Sequence, residues 1–176
     1  MHVDVLFAPW RFKYISTVSK KREEGCIFCK APRKNDNESL ILIRGKHSYV
    51  IMNLYPYNTG HIMVVPYRHV GDYAELNDDE ALEMHRLVKL SLRAIRRVYS
   101  PHGFNIGINL GRVAGAGIED HVHIHIVPRW NGDTNFMPII AGVKVVSQDV
   151  RESYKMLKPV FIEEAKKMGL EVKAQE

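Results

Sequence analysis

Cysteine is scarce in this chain: two in 176 residues, both inside Gly25-Cys26-Ile27-Phe28-Cys29. That scarcity excludes a disulfide-stapled scaffold, and the lack of a second C-x-x-C excludes a four-cysteine zinc centre. The pair is then a redox couple, two inert thiols, or half of a metal site that takes its other ligands from histidine. Long apolar runs are also missing, since no stretch approaches the roughly eighteen residues a membrane helix needs. Met1-His2-Val3-Asp4-Val5-Leu6 lacks the basic-then-apolar pattern of a secretory signal, so the expected location is the cytoplasm. Acidic residues are outnumbered, 20 against 25, for a net charge of +5. This favours anionic ligands in general, but Arg86, Arg93, Arg96 and Arg97 equally solvate a helix face, and nucleic acid is not the expected partner.

Histidine is where the chemistry concentrates. In His121-Val122-His123-Ile124-His125-Ile126-Val127 the period of two puts three imidazoles on one face of a strand and three β-branched residues on the other. A lone histidine on a strand is ordinary half-exposed filler; a spaced row of three is not. Two chemical readings follow. The imidazoles bind a metal, although His121 and His125 lie roughly 13 Å apart along a strand, too far for one ion to take all three. Or the middle histidine is a nucleophile flanked by positioning groups, which suits phosphoryl or nucleotidyl transfer.

The hydrophobic content of 45% is enough for one core, and the pattern reads as a single domain: an arm over 1–25, the body over 26–145, and a helical extension of the same domain over 146–176. In the arm, the aromatics of Pro9-Trp10-Arg11-Phe12 are expected to pack onto the body. Lys30 to Glu38 reads as a polar loop. Leu40 to Arg44, Tyr49 to Met52 and His61 to Pro66 are strands joined by short turns, which argues an antiparallel meander. Asn77 caps a helix, with Glu80 in the capping-box position and Leu82, His85, Val88, Leu92, Ile95 and Tyr99 as its apolar stripe, so His85 is expected to pack. A strand over Phe104 to Asn109 precedes a loop with Gly111, Gly115 and Gly117, and the histidine strand closes the sheet. Glycines just before the imidazoles let backbone N–H groups approach an anion, the basis of a phosphate nest. After the apolar segment Pro138 to Gly142, a last helix spans about Asp149 to Met168, with Pro159 expected to kink or divide it. Glu171 to Glu176 are expected to fray.

These residues resemble a known family. The spaced histidines, with Asn53 and Gly60-His61-Ile62-Met63-Val64-Val65-Pro66 some sixty residues earlier, are similar to the histidine-triad (HIT) superfamily of nucleotide hydrolases and transferases, over roughly residues 26 to 136. Asn53-Leu54-Tyr55-Pro56-Tyr57-Asn58-Thr59-Gly60-His61, Pro101-His102-Gly103-Phe104-Asn105 and Pro128-Arg129-Trp130-Asn131-Gly132-Asp133-Thr134-Asn135-Phe136 look more narrowly like the prokaryotic branch of diadenosine tetraphosphate phosphorylases and hydrolases. The resemblance implies an α+β fold: an antiparallel five-stranded meander sheet with a long helix and a C-terminal helix, assembled as a homodimer, with a nucleotide held against the sheet. It implies His123 as nucleophile, His125 and His61 around the phosphates, Asn53 on the ribose and Asn109 facing the phosphates.

Metal-containing relatives imply a structural zinc on Cys26, Cys29, His69 and His121, with His47 as the rival to His69; two thiolates and two imidazoles make a closed site. One departure is visible. Where many relatives carry Gly-Gln-(Ser/Thr) before the triad, this chain has Ala114-Gly115-Ala116-Gly117-Ile118-Glu119-Asp120, so the phosphate contacts fall to the N–H groups of Gly115, Ala116 and Gly117. The expected reaction cleaves a dinucleoside polyphosphate through a nucleotidyl-histidine. Orthophosphate is the favoured acceptor over water, with Arg129 and the Asn131-Gly132-Asp133 loop close by; the bland alternative is that Arg129 pairs with a surface carboxylate. The rivals are a nucleoside phosphoramidase and, from another class, a zinc-stabilised nucleotide- or nucleic-acid-binding module without turnover.

Overall fold

The computed structural model describes residues 25–136, 140 and 145–173. The expected N-terminal arm (Gly25 apart) and the apolar segment 138–142 (Ile140 apart) therefore lie outside the described residues. Among the described residues four α-helices, α1 (Ile27–Lys30), α2 (Asp36–Ser39), α3 (Asp78–Tyr99) and α4 (Val150–Lys167), accompany five strands, β1 (Ile41–Arg44), β2 (Ser48–Met52), β3 (Ile62–Pro66), β4 (Gly103–Ile108) and β5 (Ile124–Arg129). The stretch expected as a polar loop instead folds into a 3-10 turn, Ala31–Arg33, and α2, whose cap Asn35 accepts the Glu38 N–H at 2.7 Å.

The strands form one antiparallel sheet in the order β1-β2-β3-β5-β4. The first three form the expected meander. The histidine strand does not close the sheet; it inserts between β3 and β4, pairing Met63 with His125 on one side and Gly107 with His125 on the other. Sequence order could not show this, because the connection through α3 is long enough to reach either edge.

Alternation along each strand divides the core in two. Val50, Met52, Ile62, Val64, Ile124 and Ile126 pack with α3 and α4 on one face. Tyr49, Ile51, Met63 and Val65 point to the other, where Phe28 from α1 joins them. His125, paired with Met63, belongs to this second face. The helices thus sit behind the sheet and leave the histidine side to the α1 knuckle.

Helix α3 starts as expected: Asn77 and Glu80 form both halves of the capping box. Its buried stripe is offset from the expected one. Met84, Leu87, Val88, Leu90, Ser91, Ala94 and Ile95 are buried, whereas Leu82 is 50% exposed and His85, expected to pack, faces solvent. The cause is that α3 packs on the sheet and α4 together, so the buried arc must serve two neighbours. Ser91 fits there because its hydroxyl donates to the Leu87 carbonyl. Arg97 donates to Glu163 and Glu164, tying α3 to α4. Helix α4 begins at the cap Asp149 and continues through Pro159 undivided, with the ring on the exposed side. Lys173, expected to fray, pairs with Arg44 of β1 through two backbone hydrogen bonds. Among the described residues no helix is long and apolar enough to cross a membrane.

Candidate functional site

The α1 knuckle brings both cysteines against the start of the histidine stretch. Cys26 Sγ lies 3.3 Å and Cys29 Sγ 3.6 Å from His121 Nδ1; Cys29 Sγ is 3.4 Å and His121 Nδ1 3.3 Å from His69 Nδ1. All four ligand atoms lie within 4.8 Å of one another. A tetrahedral ion bonded near 2.3 Å to sulfur and 2.05 Å to nitrogen has edges of about 3.6 Å (N to S) and 3.3 Å (N to N), so the cluster has the dimensions of a zinc site. The tautomer agrees. His121 Nε2 lies 2.9 Å from the Pro66 carbonyl and must donate to it, which leaves the Nδ1 lone pair aimed at the cluster. Burial holds the His121 imidazole below its ordinary pKa, keeping it neutral, and pushes the Cys29 thiol up in the absence of an ion. His47 is not in the cluster.

His121 and His123 precede the β5 ladder, which begins at Ile124. The chain there is held by Val122 N–H donating to the Val70 carbonyl at 2.7 Å. His123 Nδ1 lies 2.9 Å from the His121 carbonyl. A carbonyl only accepts, so the proton sits on Nδ1 and the lone pair is on Nε2. Burial lowers the His123 pKa against that hydrogen bond, so the ring stays neutral. Phe28 packs on both rings, 5.4 Å from His121 and 4.8 Å from His123, and its own carbonyl accepts the Tyr49 hydroxyl. The His125 ring lies 4.7 Å from that of His123 in a T-shaped contact.

His61, fully buried just before β3, places Nε2 3.0 Å from His125 Nδ1. Its pKa is pushed down to about 3 by burial first, then by His125 and His123. Asn53 lies over this ring, Nδ2 at 3.3 and 3.4 Å from the two nitrogens, while its Oδ1 accepts the Tyr55 N–H. Four of the expected residues, His61, His123, His125 and Asn53, therefore converge.

The glycine loop and Arg129 are differently engaged. Gly115, at φ +90°, ends a 3-10 turn over Arg112–Ala114. Its N–H donates to the Arg112 carbonyl and that of Ala116 to Gly111, so in this conformation these two N–H groups do not form the expected nest. Asn109 Nδ2 turns toward the Gly115 carbonyl at 3.4 Å, within the same loop as Gly117. Arg129 is committed to carboxylate: it grips Asp133 through two hydrogen bonds of 2.6 and 2.9 Å and gives a third to Asn105. Asp133 also accepts from Asn58 and from Trp130 N–H. Arg129 thus pairs with a carboxylate, as in the bland alternative, although the Asp133 side chain is only 6% exposed and is not a surface group.

Phe28 and Tyr57 are site residues that the sequence pattern does not single out. Phe28 had a local signal, its place between the two cysteines. The Tyr57 ring, 4.7 Å from His61, had none beyond the turn that contains it.

Comparison with known proteins gives the frame for this arrangement. The HIT domain model matches residues 34–132. The chain belongs to the HIT family. An AP-4-A phosphorylase of Mycobacterium tuberculosis is 42% identical over 86% of this chain and 81% of its own length. A Schizosaccharomyces pombe bis(5'-nucleosyl)-tetraphosphatase is 36% identical over 54% of this chain and 52% of its own. Among solved HIT structures, a hypothetical histidine triad nucleotide-binding protein of Sulfolobus tokodaii superposes with a TM-score of 0.63 at 27% identity, covering 81% of this chain and 93% of that one. A zinc-bound histidine triad protein of Mycobacterium smegmatis matches at 0.63 and 24% identity, over 79% and 94%, and shows the same fold.

Proposed function

We propose that the protein is a nucleotidyl-transferring enzyme that splits dinucleoside polyphosphates, diadenosine tetraphosphate in the first instance, through a nucleotidyl-His123 intermediate. The observation that carries this reading is the hydrogen bond from His123 Nδ1 to the His121 carbonyl, because it leaves a neutral, oriented Nε2 lone pair next to His125. Nε2 attacks the α-phosphorus, the bond to the bridging oxygen breaks, and its electron pair leaves with ATP. An unprotonated oxygen of orthophosphate then attacks the same phosphorus, His123 departs as a neutral imidazole, and ADP forms. His125 stabilises phosphate charge with His61 buried behind it as its hydrogen-bond partner, and Asn53 and Asn109 contact the nucleotide, with the loop from Gly115 to Gly117 beside it. Orthophosphate as acceptor rests on the likeness to the phosphorylase; Arg129, spent on Asp133, lends it nothing.

Cys26, Cys29, His69 and His121 would hold one structural zinc, which contributes order when bound rather than reaction chemistry. A second copy of the chain is the expected partner across β4, whose outer side has no neighbouring strand among the described residues and whose Ile106 is 47% exposed.

Incubation with diadenosine tetraphosphate and labelled orthophosphate tests the reading. The expected products are ADP carrying the label and unlabelled ATP, and His123→Ala should reduce turnover by up to about a millionfold while the fold survives. AMP in place of labelled ADP would move the acceptor to water. Turnover above about a tenth of wild type in the variant would overturn the nucleophile.

A further inference from the structure

We propose that Tyr57 is a positioning residue whose backbone N–H sets the tautomers of the His61–His125 pair, so that His125 carries its proton on Nε2. This deepens the nucleotidyl-transfer reading and rests on it. Tyr57 N lies 3.0 Å from His61 Nδ1 and donates to it, which makes Nδ1 the unprotonated nitrogen. His61 is neutral in its buried place, its pKa pushed down to about 3, so it has one ring proton and that proton is on Nε2. Nε2–H then donates across 3.0 Å to His125 Nδ1, and a neutral His125 is left with Nε2–H. The chain of donors has one direction only. It starts at an amide that cannot reverse.

The opposite arrangement would set the Tyr57 N–H against a His61 Nδ1–H, two buried donors facing each other. Such a mismatch is worth roughly ten- to a hundredfold in population. It would also turn the His125 Nε2 lone pair toward phosphate oxygens in place of a donor. Asn53 cannot make this choice, because its Nδ2 is almost equidistant from the two ring nitrogens of His61, at 3.3 and 3.4 Å. The Tyr57 ring reinforces the contact. Its centroid lies 4.7 Å from His61 and 5.9 Å from His125, at interplanar angles of 39° and 31°, so it covers both rings. The segment is short: Tyr57 is four residues before His61, and His61 N–H returns to the Asn58 carbonyl, so the turn that presents the amide is closed by the histidine it orients.

The test is nitrogen NMR of the full chain labelled with 15N-histidine, where long-range proton correlations distinguish the protonated from the bare ring nitrogen. In the substrate-free wild type, His61 and His125 are both expected as the Nε2–H form at pH 7.5. Tyr57→Phe and Tyr57→Ala retain the amide and should keep that pattern. Tyr57→Pro removes it, and the His61 resonances should then report a mixture of tautomers, with kcat on diadenosine tetraphosphate at least about tenfold lower and KM changed less. An Nδ1–H form of His61 in the wild type would overturn the proposal, as would an unchanged pattern in a Tyr57→Pro protein with the wild-type melting temperature. If Tyr57→Pro does not fold, the wild-type spectrum still decides. Because the spectra need no substrate, a correct tautomer with no turnover would count against the proposed reaction and not against Tyr57.

Discussion

The neutral state of His61 couples stability to pH. An unfolded histidine titrates near 6.5, whereas burial holds His61 at about 3. The native pKa is the lower one, so the unfolded chain binds a proton that the native chain refuses. Stability is therefore complete above pH 6.5 and is lost as pH falls toward 3. At pH 5.5, one unit below the unfolded value, the unfolded state gains RT ln(1 + 10), about 1.4 kcal/mol, from this one group, and by pH 4.5 about 2.7 kcal/mol. His121 and His123 act in the same direction, since burial lowers both. The contribution of His61 is isolated by comparing wild type with His61→Gln, each unfolded in urea at pH 8.0 and 5.5. The variant is less stable at both values, but its loss between them should be smaller than that of wild type by about 1.4 kcal/mol. Equal losses in the two proteins would refute the reasoning, because they would mean that His61 titrates in the native state as it does in the unfolded one.

Three further perturbations follow from the geometry. Cys26→Ser should abolish zinc retention in protein purified without chelator, and stripping the metal from wild type should lower the melting temperature before it lowers activity; unchanged zinc content in the variant would count against the four-ligand site. Asp36 is buried between Arg44 Nε and Lys158 Nζ, each 2.6 Å away, and Asp36→Asn leaves two cations facing each other, for an expected loss of about 3–5 kcal/mol in urea unfolding that Lys158→Met should partly restore; a loss under about 1 kcal/mol would show the triad to be dispensable. Pro159 sits on the exposed side of a continuous helix and has no N–H to give to the Lys155 carbonyl, so Pro159→Ala should raise stability by up to about 3 kcal/mol, less the entropy that proline removes from the unfolded chain, and with it the melting temperature; a lowered melting temperature would contradict this.

What the sequence made legible follows the range of the interaction involved. The capping box at Asn77 depends on residues three apart and stands where the local pattern puts it, and α4 starts next to Asp149, where the sequence places the start of the last helix. The order of β5 and β4 depends on a connection of many residues, and local pattern is silent about it. His85 was misplaced for a similar reason. A stripe drawn at three-to-four spacing assumes one buried face, and α3 has neighbours on two. Arg129 is the instructive case of the opposite kind: Asp133 lies only four residues on, so the pair that commits Arg129 could be read from the chain, yet the chain does not say whether an arginine four residues from an aspartate meets it or reaches outward.

The histidine stretch shows where pattern stops and geometry must begin. A period of two aligns His121, His123 and His125 but treats them as equivalent, and an imidazole has two nitrogens with different fates. What distinguishes the three is the partner each ring already has: His121 gives Nε2–H to Pro66 and turns Nδ1 to the cysteines, His123 gives Nδ1–H to the His121 carbonyl, and His125 accepts the His61 Nε2–H at Nδ1. Two of these partners, Pro66 and His61, come from distant parts of the chain that no spacing rule reaches, while the third, the His121 carbonyl, is two residues away. The His121 residue has two parts in this arrangement, its ring among the cysteines and its carbonyl under His123. Whatever fixes that ring also fixes the carbonyl two bonds from its Cβ, and through it the nitrogen that His123 leaves bare. A structural metal at the first histidine would therefore be felt at the second without entering the reaction.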